Sequence, residues 1–240
     1  MIEKPPISDV LIGERLRAEY GLNAVHVEFL PLGVDVNSAV YRVEAAGDGE
    51  YFLKLRNGPF KESSVTVPRF LSAAGVPMII GPLPTLGGAG WGFLGSYEMI
   101  LYPYVRGRDG YARKLSQIQW RHFGASLAAI HAAQPTTELR ASLPREEFSD
   151  RGRKELRSFQ SLVQTRSFAE PIAAALAAFI LQQMEVIHEV CGRAEDLAKI
   201  LRRRRLDMVL CHSDLHPGNF LVADDDGVFI VDWDEALLAP

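Results

Sequence analysis

The sequence predicts an α+β fold in two lobes, a small antiparallel sheet with a helix followed by a mainly helical region. Three observations carry this. Strand signals crowd into the first hundred residues, set apart by Gly-containing turns. From Leu115 to Arg204 helical periodicity takes over. Near the C-terminal end, short apolar runs frame a segment rich in Asp, His and Asn.

Residues 9–20 read as a helix, because Val10, Leu11, Leu16 and Tyr20 recur at roughly helical spacing and Gly21 ends it. Ala24 to Leu30, Ala39 to Glu44 and Tyr51 to Arg56 read as strands, with Gly47-Asp48-Gly49 turning between the last two. Residues 66–74 are expected to form a short helix that opens near Pro68 and closes at Gly75. Met78 to Ile80 and Glu98 to Leu101 are further apolar strands, separated by the Gly87–Gly90 turn. Leu115 to Ala133 is an amphipathic helix carrying Ile118, Phe123, Leu127 and Ile130, and residues 145–164 read as a second. Pro171 suits the first turn of a long Ala-rich helix to about Val190, and another helix runs to about Arg204. Phe220–Val222 and Val228–Val231 form a hairpin across Ala223–Gly227. The expected division is an N-terminal lobe over 1–101, a hinge over 102–107 and a helical lobe over 108–240.

Bulk properties narrow the function. The 240 residues are 48% hydrophobic and 23% charged, ordinary for a globular chain. A net charge of −4 gives no basic face for nucleic acid. No apolar run reaches the ~18 residues of a membrane-spanning helix, and the N-terminal residues lack the apolar segment of a signal peptide. Two cysteines, Cys191 and Cys211, are too few for a disulfide framework, so a reducing, cytoplasmic location is expected.

The chemistry is carried by Cys211-His-Ser-Asp-Leu-His-Pro-Gly-Asn219 and Phe229-Ile-Val-Asp-Trp-Asp234. Asp214 precedes Asn219 by five positions, and Asp232 follows an apolar strand-like run thirteen positions later. Protein-kinase catalytic loops have the same step from Asp to Asn, with a metal-binding Asp after a strand. The residue types suit the task. Mg²⁺ takes few, hard oxygen ligands from protein, here Asn219 and Asp232, and completes its shell with phosphates and water. Asp214, off the metal, is free to meet a substrate hydroxyl. Pro217 and Gly218 let the chain turn between the two. A plain hairpin would account for the strands alone, but not for His-Ser-Asp before it and Asp-Trp-Asp after it.

His212 to Asn219 with Ile230 to Asp234 resembles the aminoglycoside phosphotransferase and choline kinase superfamily. Pro31-Leu-Gly-Val-Asp35 and Leu101-Tyr-Pro-Tyr104 look most like its spectinomycin phosphotransferase-like branch. The resemblance covers nearly the whole chain. It implies a two-lobed protein-kinase-like fold and an ATP- and Mg²⁺-dependent transfer of phosphate to a small-molecule hydroxyl. The acceptor is then an aminoglycoside or aminocyclitol antibiotic, or a metabolite alcohol such as choline.

The nucleotide half of the site follows. Alternation puts Phe52, Lys54 and Arg56 on one face of their strand and Tyr51, Leu53 and Leu55 on the other. Lys54 is either an edge-strand lysine or the phosphate-binding lysine that the resemblance implies. In the loop Leu32–Val40, Asn37 and Ser38 can donate to phosphate oxygens, though a polar hairpin turn has the same composition. Backbone groups of Tyr102 and Tyr104 would face the adenine, with Tyr104 as donor because Pro103 has no N–H. His212 is read as a hydrogen-bonding brace for the loop.

Two features run against full activity. A kinase lysine pairs with a helix Glu, and relatives in the resembled family carry one near the place of Thr66. Either Glu62 reaches back to Lys54 or the pair is missing. Relatives also continue past Asp234. A shortened helical lobe, poorly covered apolar residues such as Leu237 and Leu238, and self-association are therefore expected. The rival reading is a nucleotide-binding module with little or no turnover.

Overall fold

The computed structural model describes residues 3–33, 35–47 and 49–240; Val34 and Asp48, part of the first loop and the second turn named above, lie outside them. The chain forms two compact units, Met1–Pro144 with Val209–Leu238, and Arg145–Met208 with Ala239–Pro240.

The first unit opens with helix α1, Asp9–Tyr20. The Ser8 hydroxyl accepts from Leu11 N–H at its start, and Gly21 closes it at φ +70°, a conformation glycine adopts without a Cβ clash. Strands β1 (Ala24–Leu30), β2 (Ser38–Ala45), β3 (Gly49–Arg56), β4 (Gly92–Leu94) and β5 (Tyr97–Pro103) make an antiparallel sheet in the order β1-β2-β3-β5-β4. Ile12, Leu16 and Tyr20 of α1 cover one face, over Tyr41, Leu53, Leu55, Met99 and Leu101. Fully burying each such side chain stabilises by roughly 1.5–3 kcal/mol. The Tyr20 hydroxyl donates to the Met99 carbonyl (2.6 Å), so its polar end is satisfied too. The alternation expected in β3 is present: Leu53 and Leu55 are fully buried in this core, and Lys54 lies on the opposite face.

Helix α2 spans Ser63–Ala73, beginning earlier than the sequence suggested and holding Pro68 in its interior. Proline there removes one backbone hydrogen bond. Burial of Val65, Val67, Pro68 and Leu71 outweighs that loss. Met78–Ile80 forms no strand; Ile79 makes one isolated parallel bridge to Ile230, and Met78 sits at φ +64°.

Helix α3, Gln117–Ala132, starts in a capping box formed by Ser116 and Gln119. Helix α4 is short, Thr137–Ser142. Strand β6 (Gly107–Asp109) pairs with β8 (Phe220–Ala223), which pairs with β9 (Val228–Ile230) in the expected hairpin, with Phe220 opposite Ile230. Strand β7, Val209–Cys211, leads into the motif segment. Leu238, expected to lack cover, is fully buried, and its N–H donates to the Pro144 carbonyl (2.9 Å).

The second unit contains α5 (Arg151–Thr165), α6 (Pro171–Gln182) and α7 (Met184–Arg202). Helix α5 starts six residues later than the periodicity suggested. The long helix expected from Pro171 breaks at Gln183, where α6 and α7 meet at 68°. Glu170 caps α6 by accepting from Ile172 and Ala173 N–H. Ile172, Leu176 and Phe179 on α6 are more than half exposed. Among the described residues no single helix is long and apolar enough to cross a membrane. The antiparallel sheet followed by helices is the kinase-like α+β fold that the sequence predicted.

Candidate functional site

β7 delivers His212–Asn219, and β9 delivers Val231–Asp234. The two segments are tied by Val231 N–H donating to the Asn219 carbonyl (3.0 Å). His212 is almost completely buried, its ring 4.6 Å from the Trp233 ring. Its Nε2 lies 2.9 Å from the Val231 carbonyl, and Asp214 N–H donates to its Nδ1 over a long 3.4 Å. The hydrogen bonds assign the proton to Nε2. Burial holds the imidazole below its usual titration range, which keeps it neutral and suits both bonds. His212 thus braces the Asp214 loop against the Asp232 segment.

Ser213 and Asp232 both adopt left-handed φ, +71° and +64°. Such positions cost on the order of 1–3 kcal/mol for a non-glycine residue and persist only where surrounding structure fixes them. The fixing contacts here are buried His212 and Trp233, whose indole N–H donates to the Ile230 carbonyl (3.3 Å).

Asn219 is buried, and its Nδ2 donates to the Asp214 carbonyl (2.8 Å) and, weakly, to Asp214 Oδ2 (3.4 Å). The amide nitrogen is committed to Asp214, so the amide oxygen is the end left for a cation. The carboxylates of Asp214 and Asp232 are about half exposed, open to a ligand. Hard oxygen donors from Asn219 and Asp232 fit Mg²⁺. Among the described residues no cluster of three or more His, Cys, Asp or Glu side chains is arranged to hold a metal.

From the sheet, Lys54 points toward these carboxylates, with Nζ 3.7 Å from Asp232 Oδ1 and 3.4 Å from Asp234 Oδ2. Arg56, two residues on and on the same face, pairs closely with Asp234. Burial pushes the Asp234 carboxyl up, but Lys54 and Arg56 outweigh it and hold it below the usual carboxylate range. Among the described residues no helix acid reaches Lys54: Glu62 is exposed at the start of α2, and α2 itself has no acidic residue.

The loop residues are engaged otherwise than expected. Asn37 N–H (2.9 Å) and the Ser38 hydroxyl (2.8 Å) both donate to the Asp35 carboxylate, which also lies 4.0 Å from Arg56. Burial raises the Asp35 carboxyl, and these donors with the nearby cations bring it below its usual range. Tyr102 packs near Phe52, ring centroids 6.4 Å apart; its phenol is pushed up by burial and then by the charges of Asp234 and Asp232.

Tyr104 N–H donates to the Glu50 carbonyl (3.1 Å) and so is not free for an adenine edge. The Leu101 carbonyl accepts from Leu83 N–H (2.7 Å) on the other edge of β5. Backbone groups alternate between edges along a strand. Pro103 therefore turns its carbonyl away from β3; Val105 lies beyond the strand, and no partner for its N–H is found among the described residues. Sequence reading assigned no role to Asp35 or to Arg56, although the spacing of Arg56 from Lys54 puts both on one face, and it left Asp234 open between a second metal ligand and a cap; the structure pairs Asp234 with Lys54 and Arg56.

A model of the phosphotransferase enzyme family matches residues 28–240. The crystal structure of spectinomycin phosphotransferase APH(9)-Ia in complex with ADP and spectinomycin is similar over 98% of this chain and 71% of that one, at 30% identity and a TM-score of 0.86. Its AMP-bound complex gives 29% identity and a TM-score of 0.84, covering 98% of this chain and 72% of that one. An aminoglycoside phosphotransferase from Alicyclobacillus acidocaldarius shares the fold at 16% identity and a TM-score of 0.65, covering 99% of this chain and 69% of that one. No curated protein matches in sequence. With the family model spanning nearly all of the chain, and the motif loop and strand braced against each other as described, the chain belongs to the phosphotransferase enzyme family.

Proposed function

We propose that this phosphotransferase moves the terminal phosphate of ATP to a hydroxyl of a small molecule, with Mg²⁺ as the metal. The observation that carries the reading is the placement of Lys54 Nζ 3.7 Å from Asp232, beside a loop in which Asn219 Nδ2 is bonded to Asp214. Asp214 accepts the hydrogen bond of the acceptor hydroxyl, orients it and takes its proton as the phosphate bond forms. Asn219 Oδ1 and Asp232 hold Mg²⁺, which when bound neutralises charge on the nucleotide phosphates. Lys54 steadies those phosphates. Asn37 and Ser38 donate to them once released from Asp35. Tyr102 lines the adenine side, and the adenine edge meets the Pro103 carbonyl and Val105 N–H in place of Tyr104 N–H. The lobe division at a 102–107 hinge belongs to the same proposal.

The acceptor we favour is an aminocyclitol or aminoglycoside, which would make the protein an antibiotic-resistance enzyme; spectinomycin is bound in the similar structure at 30% identity. A metabolite alcohol such as choline is the alternative. A cytoplasmic location, expected from there being only two cysteines, suits ATP as donor. The apolar residues exposed on α6 favour some association between copies.

One observation favours a weaker enzyme: α2 offers no carboxylate to Lys54. ADP release from Mg·ATP, measured with spectinomycin, other aminoglycosides and choline, decides. Acceptor-dependent release in the wild type, lost in Asp214→Asn, is the expected result. Tight ATP binding with no acceptor-dependent release would leave a nucleotide-binding module instead.

A further inference from the structure

The phosphate lysine of a kinase needs a carboxylate to fix its ammonium, and a helix glutamate usually provides it. In this chain α2 contains no acidic residue, and Glu62 is exposed at its start. Glu98, opposite Arg56 on β5, makes no ion pair with either cation among the described residues. The carboxylate that does meet Lys54 from a sheltered position is Asp234, with Oδ2 3.4 Å from Nζ. The same oxygen pairs with Arg56. The three side chains are 13–23% exposed, so solvent screens them less than a surface pair.

Asp234 is also well anchored. It follows Trp233, which is 4% exposed, and Ala236 N–H donates to the Trp233 carbonyl (3.1 Å) to close the turn around it. The charges alternate in space: Asp35, Arg56, Asp234, Lys54, Asp232. The order matters for function. A divalent cation held by Asp232 would compete with Lys54 for that half-exposed carboxylate and repel the ammonium beside it. Asp234 is then the carboxylate that still holds the ammonium.

We propose that Asp234 is the positioning residue for Lys54, doing from the far side of the metal segment what a helix glutamate does elsewhere, with Arg56 as its second anchor. This rests on the phosphotransferase reading above. Asp234 acts through Lys54, and its carboxylate is occupied by two cations rather than offered to the metal.

The test is a double-mutant cycle on the full chain. Asp234→Asn, Asp234→Glu, Lys54→Met and Asp234→Asn with Lys54→Met are compared in ATP turnover, using spectinomycin, or water where no acceptor is used. Calorimetry of ADP binding with and without Mg²⁺ accompanies it. Asp234→Asn should cut kcat at least about tenfold with KM for ATP changed less than about threefold, since orientation rather than ground-state binding is lost. In the Lys54→Met background it should add no more than about twofold. Asp234→Glu should recover part of kcat. The factor by which Mg²⁺ strengthens ADP binding should stay within about twofold of wild type in Asp234→Asn. A collapse of that factor would make Asp234 a metal ligand and overturn the proposal. So would full kcat in Asp234→Asn, or equal losses with and without Lys54. Asp214→Asn separates the two levels. Full turnover in that variant, or none in the wild type, sinks the phosphotransferase reading. A dead Asp214→Asn beside a fully active Asp234→Asn sinks only the positioning role.

Discussion

Replacing His212 by Leu tests whether the buried imidazole holds the two motif segments together. The side chain is similar in bulk, so the perturbation is mainly polar. It strands the Val231 carbonyl, now 2.9 Å from Nε2, and removes the longer contact from Asp214 N–H. A buried group left without its partner costs roughly 1–3 kcal/mol, and a long bond at most about 1. The expected loss is about 1–4 kcal/mol, read from urea unfolding monitored by tryptophan fluorescence. The pH dependence has a definite sign. Burial lowers the folded-state pKa of His212 from its ordinary 6.5. The unfolded chain therefore takes up the proton first as pH falls. Stability from the neutral imidazole is full above about 6.5 and is lost toward the lower folded value, at no more than about 1.4 kcal/mol per pH unit. Leucine has no such dependence, so the gap between wild type and variant should narrow from pH 7 to pH 5. A variant within about 0.5 kcal/mol of wild type, or a gap that is flat with pH, would refute the brace.

Asp214→Asn should leave Mg·ATP affinity near wild type and cut turnover roughly 10²–10⁴-fold; comparable loss of affinity would show that the two aspartates have been given each other's roles. Val105→Pro deletes one backbone donor and should raise KM for ATP by about five- to tenfold, the worth of a single hydrogen bond. Tyr104→Pro, which deletes the N–H that Glu50 holds, should raise KM less than Val105→Pro does, and the reverse ranking in steady-state kinetics would return the adenine contact to the Tyr104 N–H.

Local patterns carried much of the fold. Helix α1 was readable from Leu16, Tyr20 and the terminal Gly21, although Val10 and Leu11 of the same pattern are exposed and Ile12 is buried in their place; the face of Lys54 was readable because side chains alternate along an unbroken strand. The break at Gln183, where α6 and α7 meet at 68°, left no mark, since neither Gly nor Pro stands there. Helix α2 runs through Pro68, its buried face deciding against local propensity. In the site, Asp214, Asn219 and Asp232 were legible from spacing because they lie on one continuous stretch. The proposed adenine contact was half legible. Pro103 says which residue cannot donate, but not which strand edge the others face; that depends on pairing with β3, and Glu50 had already taken Tyr104. The Arg56–Asp234 pair joins residues 178 apart, and nothing local announces it.

The most direct test of the central claim is calorimetric titration of ATP into wild type and Asp232→Ala, each with and without Mg²⁺. With Asp232 and the Asn219 amide oxygen as the protein's metal ligands, Mg²⁺ should strengthen ATP binding to the wild type, and that gain should disappear in Asp232→Ala while metal-free binding persists. An undiminished Mg²⁺-dependent gain in the variant would contradict the assignment of this segment as a nucleotide–metal site.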